Sequence, residues 1–456
     1  MSEAITADPL ARHSDVAAGR PVCPACGRES ADGLVTFDSL SDDLKRIATA
    51  NSPGDGPVSH VCPRCVELFE RASRQLRKYE TVFEQGRFVL PTWLRLGADE
   101  RFTGRGVTMA LLDSGFYAHA DLTEPVSRIL AYHNISPQGT GTLDSIDVAS
   151  WHGMMTSVVA AGNGHLSDGF FRSIAPAANL VLVKVSSSGH ISEGNIMRGL
   201  EWVLDNREKF RIRVVNISAG GDEPASYLHN PLSRTIEQAV AEGLVIVCAV
   251  GNSGHIPGHP VLPPASSPAC IAVGGLDDRN SLDRARRGMY RSSYGPTVDG
   301  LQKPEVIAPG IWVPAPILPH TPTAAEADLY ATLDRAEDKE LVALIEEHAE
   351  VDKDLHESRD LPLHLLRQMI SIKLREADVI SEHYKFVDGT SFAAPIVSST
   401  VACMLEANPH LTPSHVKRIL IETAERLPGI EIDRQGWGVV EPRKAVQMAL
   451  ALRPNE

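Results

Sequence analysis

Three residue types that can cooperate in nucleophilic catalysis occur in short, widely separated motifs of this sequence. Asp113 follows an apolar run at 107–112, His152 precedes a glycine and an apolar helical stretch, and Ser391 lies within residues 389–395, GTSFAAP. A serine hydroxyl needs a neighbouring base to become a useful nucleophile, and a carboxylate can hold an imidazole in the right tautomer for that task. Taken singly, the three are ordinary turn, packing and helix-capping residues. Together they predict an Asp–His–Ser triad.

The chain order Asp, His, Ser and the strings around it resemble the subtilisin family of serine peptidases, the subtilases. The resemblance covers roughly residues 88–451. It also includes the strings at 215–221 (VNISAGG), 249–254 (AVGNSG), 293–296 (SYGP), 303–310 (KPEVIAPG) and 436–438 (GWG). It implies a subtilisin-like fold and the hydrolysis of peptide bonds in a protein or peptide substrate.

The resemblance also implies roles for residues outside the triad. The side-chain amide of Asn252 and the backbone N–H of Ser391 would stabilise the oxyanion of the tetrahedral intermediate. An extended substrate would pair with the backbone of a short segment, and a glycine would form the base of the pocket for the residue before the cut. These positions are Ser218, Ala219 and Gly220 for the segment and Gly251 for the pocket.

Apolar runs that alternate with helical stretches would position these residues. The runs at 107–112, 180–185, 214–217 and 244–250 have strand length and lack polar alternation, which is typical of parallel strands buried on both faces. Helical stretches lie between them, and further ones follow near 391–406 and 413–424. The pattern predicts an α/β fold with a mostly parallel sheet flanked by helices. Asp113 would lie at the carboxyl end of its strand, where functional groups gather in such sheets.

An acidic segment with helical spacing interrupts this pattern at about 311–386. It contains 16 acidic and 8 basic residues, so that its net charge is −8, more than half of the −14 carried by the whole chain. Subtilases usually connect the corresponding positions by a much shorter stretch. We therefore expect a helical insertion that enters close to the nucleophile. It is either a solvated decoration or a lid that selects substrates or inhibits the enzyme.

Four cysteines form two CxxC pairs near the N-terminus. Cys23 and Cys26 are separated by 35 residues from Cys62 and Cys65, and the second pair runs into an amphipathic helical pattern. Four thiolates suit tetrahedral zinc, and with no open ligand position the site would be structural. A redox or disulfide role is the alternative. The arrangement resembles zinc-ribbon and treble-clef modules. We found no acidic loop that would assign calcium, which many subtilases bind.

These features predict a tail at residues 1–20, a zinc module with its helix at 21–87, and a peptidase domain at 88–456. No apolar run approaches the ~18 residues needed to span a membrane, so we expect no membrane-spanning segment. The N-terminal residues lack a basic-then-apolar signal pattern, and the cysteines do not suggest a disulfide framework, so we expect a cytoplasmic protein.

The charge balance bears on partners. With 44 basic and 58 acidic residues, the chain is not expected to bind nucleic acid. A local basic cluster nevertheless leaves open a nucleic-acid-sensing protein with peptidase output; it comprises Arg71, Arg74, Arg77 and Lys78. A regulatory protein partner could bind the zinc module or the insertion. A scaffold with a degenerate peptidase fold is the remaining alternative, and the complete triad argues against it.

Overall fold

The computed structural model describes residues 20–24, 29–50, 59–80, 89–136, 142–147, 149–187 and 190–453. Cys26 and the tail predicted at residues 1–20, apart from Arg20, lie outside this part of the chain. The described strands, in chain order, are β1 (Val35–Thr36), β2 (His60–Val61), β3 (Thr108–Asp113), β4 (Ile129–Asn134), β5 (Asn179–Lys184), β6 (Ile212–Ile217), β7 (Val245–Ala249), β8 (Ile271–Asp277), β9 (Gly288–Met289), β10 (Gly295–Pro296), β11 (Gln302–Lys303), β12 (Val306–Pro309), β13 (Val313–Pro316) and β14 (Tyr384–Val387).

The helices alternate with the strands over most of the chain. In chain order they are α1 (Asp42–Ala50), α2 (Pro63–Glu80), α3 (Thr92–Arg95), α4 (Ala120–Thr123), α5 (Ser150–Ala161), α6 (Glu193–Phe210), α7 (Pro231–Ala241), α8 (Pro322–Arg335), α9 (Leu341–Glu347), α10 (Lys353–Glu357), α11 (Leu363–Glu376), α12 (Thr390–Ala407), α13 (Pro413–Thr423), α14 (Ile432–Gln435) and α15 (Pro442–Ala451).

The central sheet has the strand order β12-β8-β7-β6-β3-β5-β4, and these neighbours are parallel. The short strand β9 adds an antiparallel edge to β8. The four apolar runs noted above form β3, β5, β6 and β7. The predicted arrangement of a mostly parallel sheet flanked by helices is therefore present.

Strand β3 shows why the runs lack polar alternation. Met109 and Leu111 face a core shared with α5 and α12, whereas Ala110 and Leu112 face a second core shared with α6 and α7. All four side chains are fully buried. Because the strand is covered on both faces, its carboxyl end is the place where a polar side chain can act, and Asp113 lies there.

Helix α12 is the longest apolar element of the described chain. Contrary to our expectation for apolar runs, its 18 residues are long and apolar enough to cross a membrane, by length and composition only. However, 89% of that window is buried inside the protein, and the helix packs against α5, α15 and several strands of the sheet. It is therefore placed as the core helix of a globular domain.

The acidic segment at 311–386 begins and ends as strands. Strands β13 and β14 pair antiparallel, with Val313 opposite Val387, and their residues Ala315 and Tyr384 belong to the main core. Helices α8 to α11 lie between the two strands and form a separate apolar cluster around Leu333, Leu366 and Ile370. The insertion thus combines a ribbon built into the peptidase core with a helical lobe that has a core of its own. Its two ends are adjacent.

The N-terminal module packs directly on the peptidase core. Val61 and Phe69 share one apolar cluster with Trp93 and the residues of β3. Arg64 forms an ion pair of 2.8 Å with the buried Glu100, and Arg443 Nη1 of α15 donates to the carbonyl of Pro24 at 2.9 Å. Helix α2 begins at Pro63, inside the second CxxC pair, and proline is well suited to the first turn of a helix.

Candidate active site

A buried carboxylate and an imidazole meet at the carboxyl end of β3. His152 Nδ1 lies 2.6 Å from Asp113 Oδ1, and Asp113 is 1% exposed. Thr156, one turn after His152 in α5, donates its hydroxyl to Asp113 Oδ2 at 2.8 Å, and the backbone N–H of Ser114 donates to Oδ1. Both carboxylate oxygens are therefore held in place. The carboxylate in turn fixes the tautomer and orientation of the imidazole.

A glycine contact allows this approach. A Cβ added to Gly153 would lie 1.9 Å from the carbonyl oxygen of Gly115, in the turn that follows Asp113. Any larger residue would push α5 away from the end of β3. Glycine is therefore required at position 153 for steric reasons, independently of any catalytic role.

The environment of His152 changes its pKa in opposing directions. Burial lowers the pKa of the imidazole, but the negative charge of Asp113 and the hydrogen bond to it outweigh burial. The net result is a pKa raised above its usual value of 6.5. His152 therefore becomes a stronger base than a free imidazole while remaining titratable.

Ser391 is the second residue of α12, whose first turn contacts His152 through the next residue. The ring of its neighbour Phe392 has its centroid 5.7 Å from that of His152. Ser391 Oγ donates to the carbonyl of Ser218 at 3.4 Å, and within the described ranges no hydrogen bond joins it to His152. Catalytic hydrogen bonds are often formed only once substrate is bound. In this structure the hydroxyl is directed at the carbonyl of Ser218.

Two N–H donors border one space next to Ser391. The carboxamide oxygen of Asn252 accepts bonds from the backbone N–H and the hydroxyl of Thr390, at 2.9 and 3.1 Å, which points its NH₂ group away from Thr390. A Cβ added to Gly389 would lie 3.7 Å from Asn252 Nδ2 and 3.8 Å from Ser391 N. Both nitrogen atoms therefore lie near the same space, and an oxyanion hole would need their N–H groups to point into it.

The predicted substrate segment directly follows β6. Ser218 Oγ donates to the carbonyl of Ser391 at 2.8 Å, so the segment is tied to the nucleophile. Ala219 is partly exposed and Gly220 is exposed. Among the described residues, their backbone groups have no hydrogen-bond partner. Gly251 has a φ of +103°, and its N–H donates to Thr390 Oγ1 at 3.1 Å. The predicted residues are thus brought together, and their roles in catalysis stay predictions.

Comparison with known proteins decides the family. The model of the subtilase family, Peptidase_S8, matches residues 104–438. The chain belongs to the subtilase family. Over 357 residues it is 30% identical to serine protease AprX of Bacillus subtilis (strain 168), an alignment that covers 76% of this chain and 67% of AprX. It is 31% identical over 211 residues to subtilisin Savinase of Lederbergia lenta, covering 46% of this chain and 65% of that protein. This subtilase is a subtilisin-like serine protease.

Solved structures share the fold at lower sequence identity. The CspB protease of Clostridium perfringens aligns with a TM-score of 0.55 and 15% identity, over 78% of this chain and 96% of that chain. Fervidolysin from Fervidobacterium pennivorans aligns with a TM-score of 0.53 and 20% identity, over 78% of this chain and 45% of that one. The predicted subtilisin-like fold is confirmed.

Several residues that support the site of this subtilase were missed in the sequence. Thr156 holds the carboxylate of Asp113 and Thr390 holds the amide of Asn252. Asn216 donates to Ser218 Oγ and accepts from Ser398 Oγ of α12, which links β6 to the helix of the nucleophile. The spacing of Thr156, four residues after His152 on one helix face, is a usable signal. The pairing of Asn216 with Ser398 is long-range and leaves no such pattern.

Three of the four predicted zinc ligands also come together. The Sγ atoms of Cys23, Cys62 and Cys65 lie within 4.8 Å of one another, and all three residues are buried. The sulfurs of Cys23 and Cys65 are 3.9 Å apart, and the backbone N–H of Cys62 donates to Cys23 Sγ at 3.2 Å. A tetrahedron with Zn–S bonds of ~2.3 Å places its sulfurs about 3.8 Å apart. The three thiols fit a tetrahedral metal site.

Proposed function

We propose that this subtilase is a serine endopeptidase that uses Asp113, His152 and Ser391 as its triad and Asn252 as an oxyanion donor. The observation that carries the proposal is the 2.6 Å contact between His152 and a buried carboxylate whose second oxygen is held by Thr156. This is the arrangement that a general base needs in order to keep one tautomer throughout a reaction.

The proposed mechanism follows from the groups present. His152 Nε2 takes the proton of Ser391 as the hydroxyl attacks the scissile carbonyl, and Asp113 stabilises the imidazolium that forms. Asn252 Nδ2 and the N–H of Ser391 bind the oxyanion. His152 then gives the proton to the leaving amine, and water repeats the cycle to release the acyl group from Ser391. The substrate backbone on the acyl side pairs with Ala219 and Gly220.

An active-site label tests this proposal. A fluorophosphonate should react with the wild-type protein and not with Ser391→Ala, and casein hydrolysis should fall by several orders of magnitude in Ser391→Ala, His152→Ala and Asp113→Asn. The double variant of Ser391 and His152 should be no worse than either single one, because the residues act as a unit. Undiminished activity in folded Ser391→Ala protein would refute the assignment.

We further propose that Cys26 completes a zinc site with Cys23, Cys62 and Cys65. The three clustered thiols support it, and the N–H donated to Cys23 Sγ suits a thiolate acceptor. With all four ligands supplied by the chain, zinc would act as a structural cross-link between the two CxxC pairs.

The cellular setting is also part of the proposal. We propose a cytoplasmic peptidase that acts on, or is regulated by, a protein partner through the zinc module or the insertion. Thiols bound to zinc rather than to one another suit a reducing compartment. Mapping of the new N-termini in cells that express wild type or Ser391→Ala identifies the substrate. Cut sites confined to secreted proteins would contradict the location.

A further inference from the structure

A cavity of about 480 Å³ lies between the helix of the catalytic histidine and the base of the insertion. Trp151 and Met155 of α5 form one wall. Ile317 and Leu318, which follow β13, form the opposite wall with Val387 at the end of β14. The rim includes Ile146 and two threonines at the start of α8.

The lining is mainly apolar and partly open to solvent. Met155, Ile317 and Leu318 are buried, whereas Trp151 and Ile146 remain 46% and 41% exposed. Large apolar side chains that stay exposed together around a concave surface are typical of a binding site. Asp147 at the rim is paired with Lys184 at 2.6 Å, so it brings little uncompensated negative charge to the cavity. Lys385 of β14 also lines the cavity, so one basic side chain lies beside the apolar walls.

The position of the cavity relative to the triad indicates which part of a substrate it faces. Trp151 immediately precedes His152, and the two rings meet edge to face with centroids 5.3 Å apart. Val387 lies four residues before Ser391. In the described part of the chain, the lining includes none of the acyl-side residues, 218–220 and 251–252. His152 protonates the leaving amine, so the residues after the cut must pass beside it.

We propose that this cavity is the subsite for a large apolar side chain at one of the first two residues after the cut, and that the insertion supplies its outer wall. The inference rests on the proposed peptidase function. An extended peptide advances about 3.3 Å per residue, which keeps those two residues within reach of both His152 and the ribbon. A leucine, methionine or phenylalanine side chain would bury its apolar surface between Trp151 and Leu318.

Internally quenched peptides with a constant acyl side and a varied leaving side test this inference. With phenylalanine or leucine after the cut, we expect kcat/KM to exceed that for glycine by roughly tenfold or more. Ile146→Asp should reduce this preference to a few-fold, and Thr323→Trp, which fills the cavity from its rim, should reduce it as well. Ile372→Asp is the matched control. Ile372 is also 41% exposed but lies on α11, away from the cavity, and its variant should keep the wild-type preference.

A chromogenic amide with the same acyl peptide has no leaving-side residue, so its rate corrects for any general loss of active enzyme. If wild type does not cleave this amide, the proposed function fails. If wild type cleaves it but shows no preference for large apolar residues after the cut, the subsite is refuted. The same holds if Ile146→Asp and Ile372→Asp change that preference alike.

Discussion

At the scale of single residues, the site depends on how firmly two polar groups are held before substrate arrives. Asp113 accepts hydrogen bonds from Ser114, His152 and Thr156, and Asn252 accepts two from Thr390. Groups fixed in advance need not reorganise during the reaction, which is the main source of electrostatic catalysis in sites of this kind. In the proposed mechanism the triad residues carry out the reaction, and Thr156 and Thr390 hold Asp113 and Asn252 in position for it.

The raised pKa of His152 predicts the pH dependence of activity. Protonated His152 cannot accept the proton of Ser391, so kcat/KM should rise with pH through an inflection above 6.5. The imidazole signal of labelled Ser391→Ala protein should titrate at a similarly raised pKa. When Asp113→Asn is added to this variant, the pKa of His152 should fall, because burial lowers it and the charge of Asp113 no longer raises it. An unchanged titration would contradict the assigned cause.

The free energy of unfolding should also depend on pH through His152. Because the folded-state pKa is above the unfolded value, the contribution of the His152–Asp113 pair is fully present below pH 6.5 and is lost as pH rises through the folded pKa. We expect the free energy of unfolding in urea to be higher for Ser391→Ala than for the double variant Ser391→Ala/His152→Ala. This difference should decrease from pH 6 to pH 9. A difference in free energy of unfolding that increases over this pH range would contradict the raised pKa of His152.

Thr156 should act as a positioning residue. Thr156→Val leaves Asp113 Oδ2 buried without its donor, which should lower kcat about tenfold with little change in KM, and lower the free energy of unfolding by ~1–3 kcal/mol. Thr156→Ser should restore most of kcat because it keeps the hydroxyl. Thr423→Val is the control, since its hydroxyl bonds the carbonyl of Ile419 in α13. Equal losses of kcat in both valine variants would indicate a purely structural effect.

At the scale of elements, sequence patterns revealed the strands β3, β5, β6 and β7 and missed β4, β8 and β12 of the same sheet. Strand β4 lies at the sheet edge, where Leu130 is 45% exposed, so its apolar signal is broken. Strand β8 contains Gly275, at which a Cβ would lie 2.6 Å from the ring of Tyr290. Strand β12 is four residues long and ends in proline. Packing against distant residues, which local patterns do not contain, explains all three.

Within the insertion, too, only part of the structure could be predicted from local sequence patterns. Its composition predicted helices, and α8 to α11 are present. The antiparallel ribbon of β13 and β14 at its base was not predicted, because two four-residue strands 67 residues apart leave no local pattern. The ribbon bears on the site because β14 ends at Val387, four residues before Ser391, and pairs there with Val313.

Deleting the helical lobe should leave the catalytic fold intact. Ile317 N donates to the carbonyl of His383 at 2.8 Å, so a short Gly/Ser linker can replace residues 321–382 without opening the ribbon. We expect a folded protein that binds zinc, reacts with a fluorophosphonate and cleaves the chromogenic amide at an equal or higher rate, while cleavage of the native protein substrate changes markedly. Ile372→Asp in the full chain, which alters the lobe without removing it, is the control and should cleave both substrates like wild type. Unfolding of the deletion variant would show that the lobe is part of the core.

At the scale of the whole molecule, the N-terminal module is bound to both ends of the peptidase chain. Arg443 near the C-terminus donates to the carbonyls of Pro24, Gly97 and Ala98. Arg64, between Cys62 and Cys65, pairs with Glu100, which Arg172 also contacts at 2.9 Å. Glu100 is buried although Arg64 is 46% exposed, so removing Arg64 would take a compensating positive charge away from a buried carboxylate, which is destabilising. The module should therefore unfold together with the domain rather than before it.

This coupling predicts a single response to loss of the metal. Purified protein should contain about one zinc per chain. Cys62→Ala should lose that zinc, show one cooperative unfolding transition at a lower Tm, and react more slowly with a fluorophosphonate near that temperature, although the cysteine lies outside the triad.

Cys403→Ala is the control: Cys403 is also buried but lies in α12, so its variant should keep one zinc. Two separate transitions in Cys62→Ala, with the second at the wild-type Tm, would show that the module and the peptidase domain are independent. Zinc-free wild-type protein, purified reduced and without chelator, would show instead that the cysteines serve another purpose.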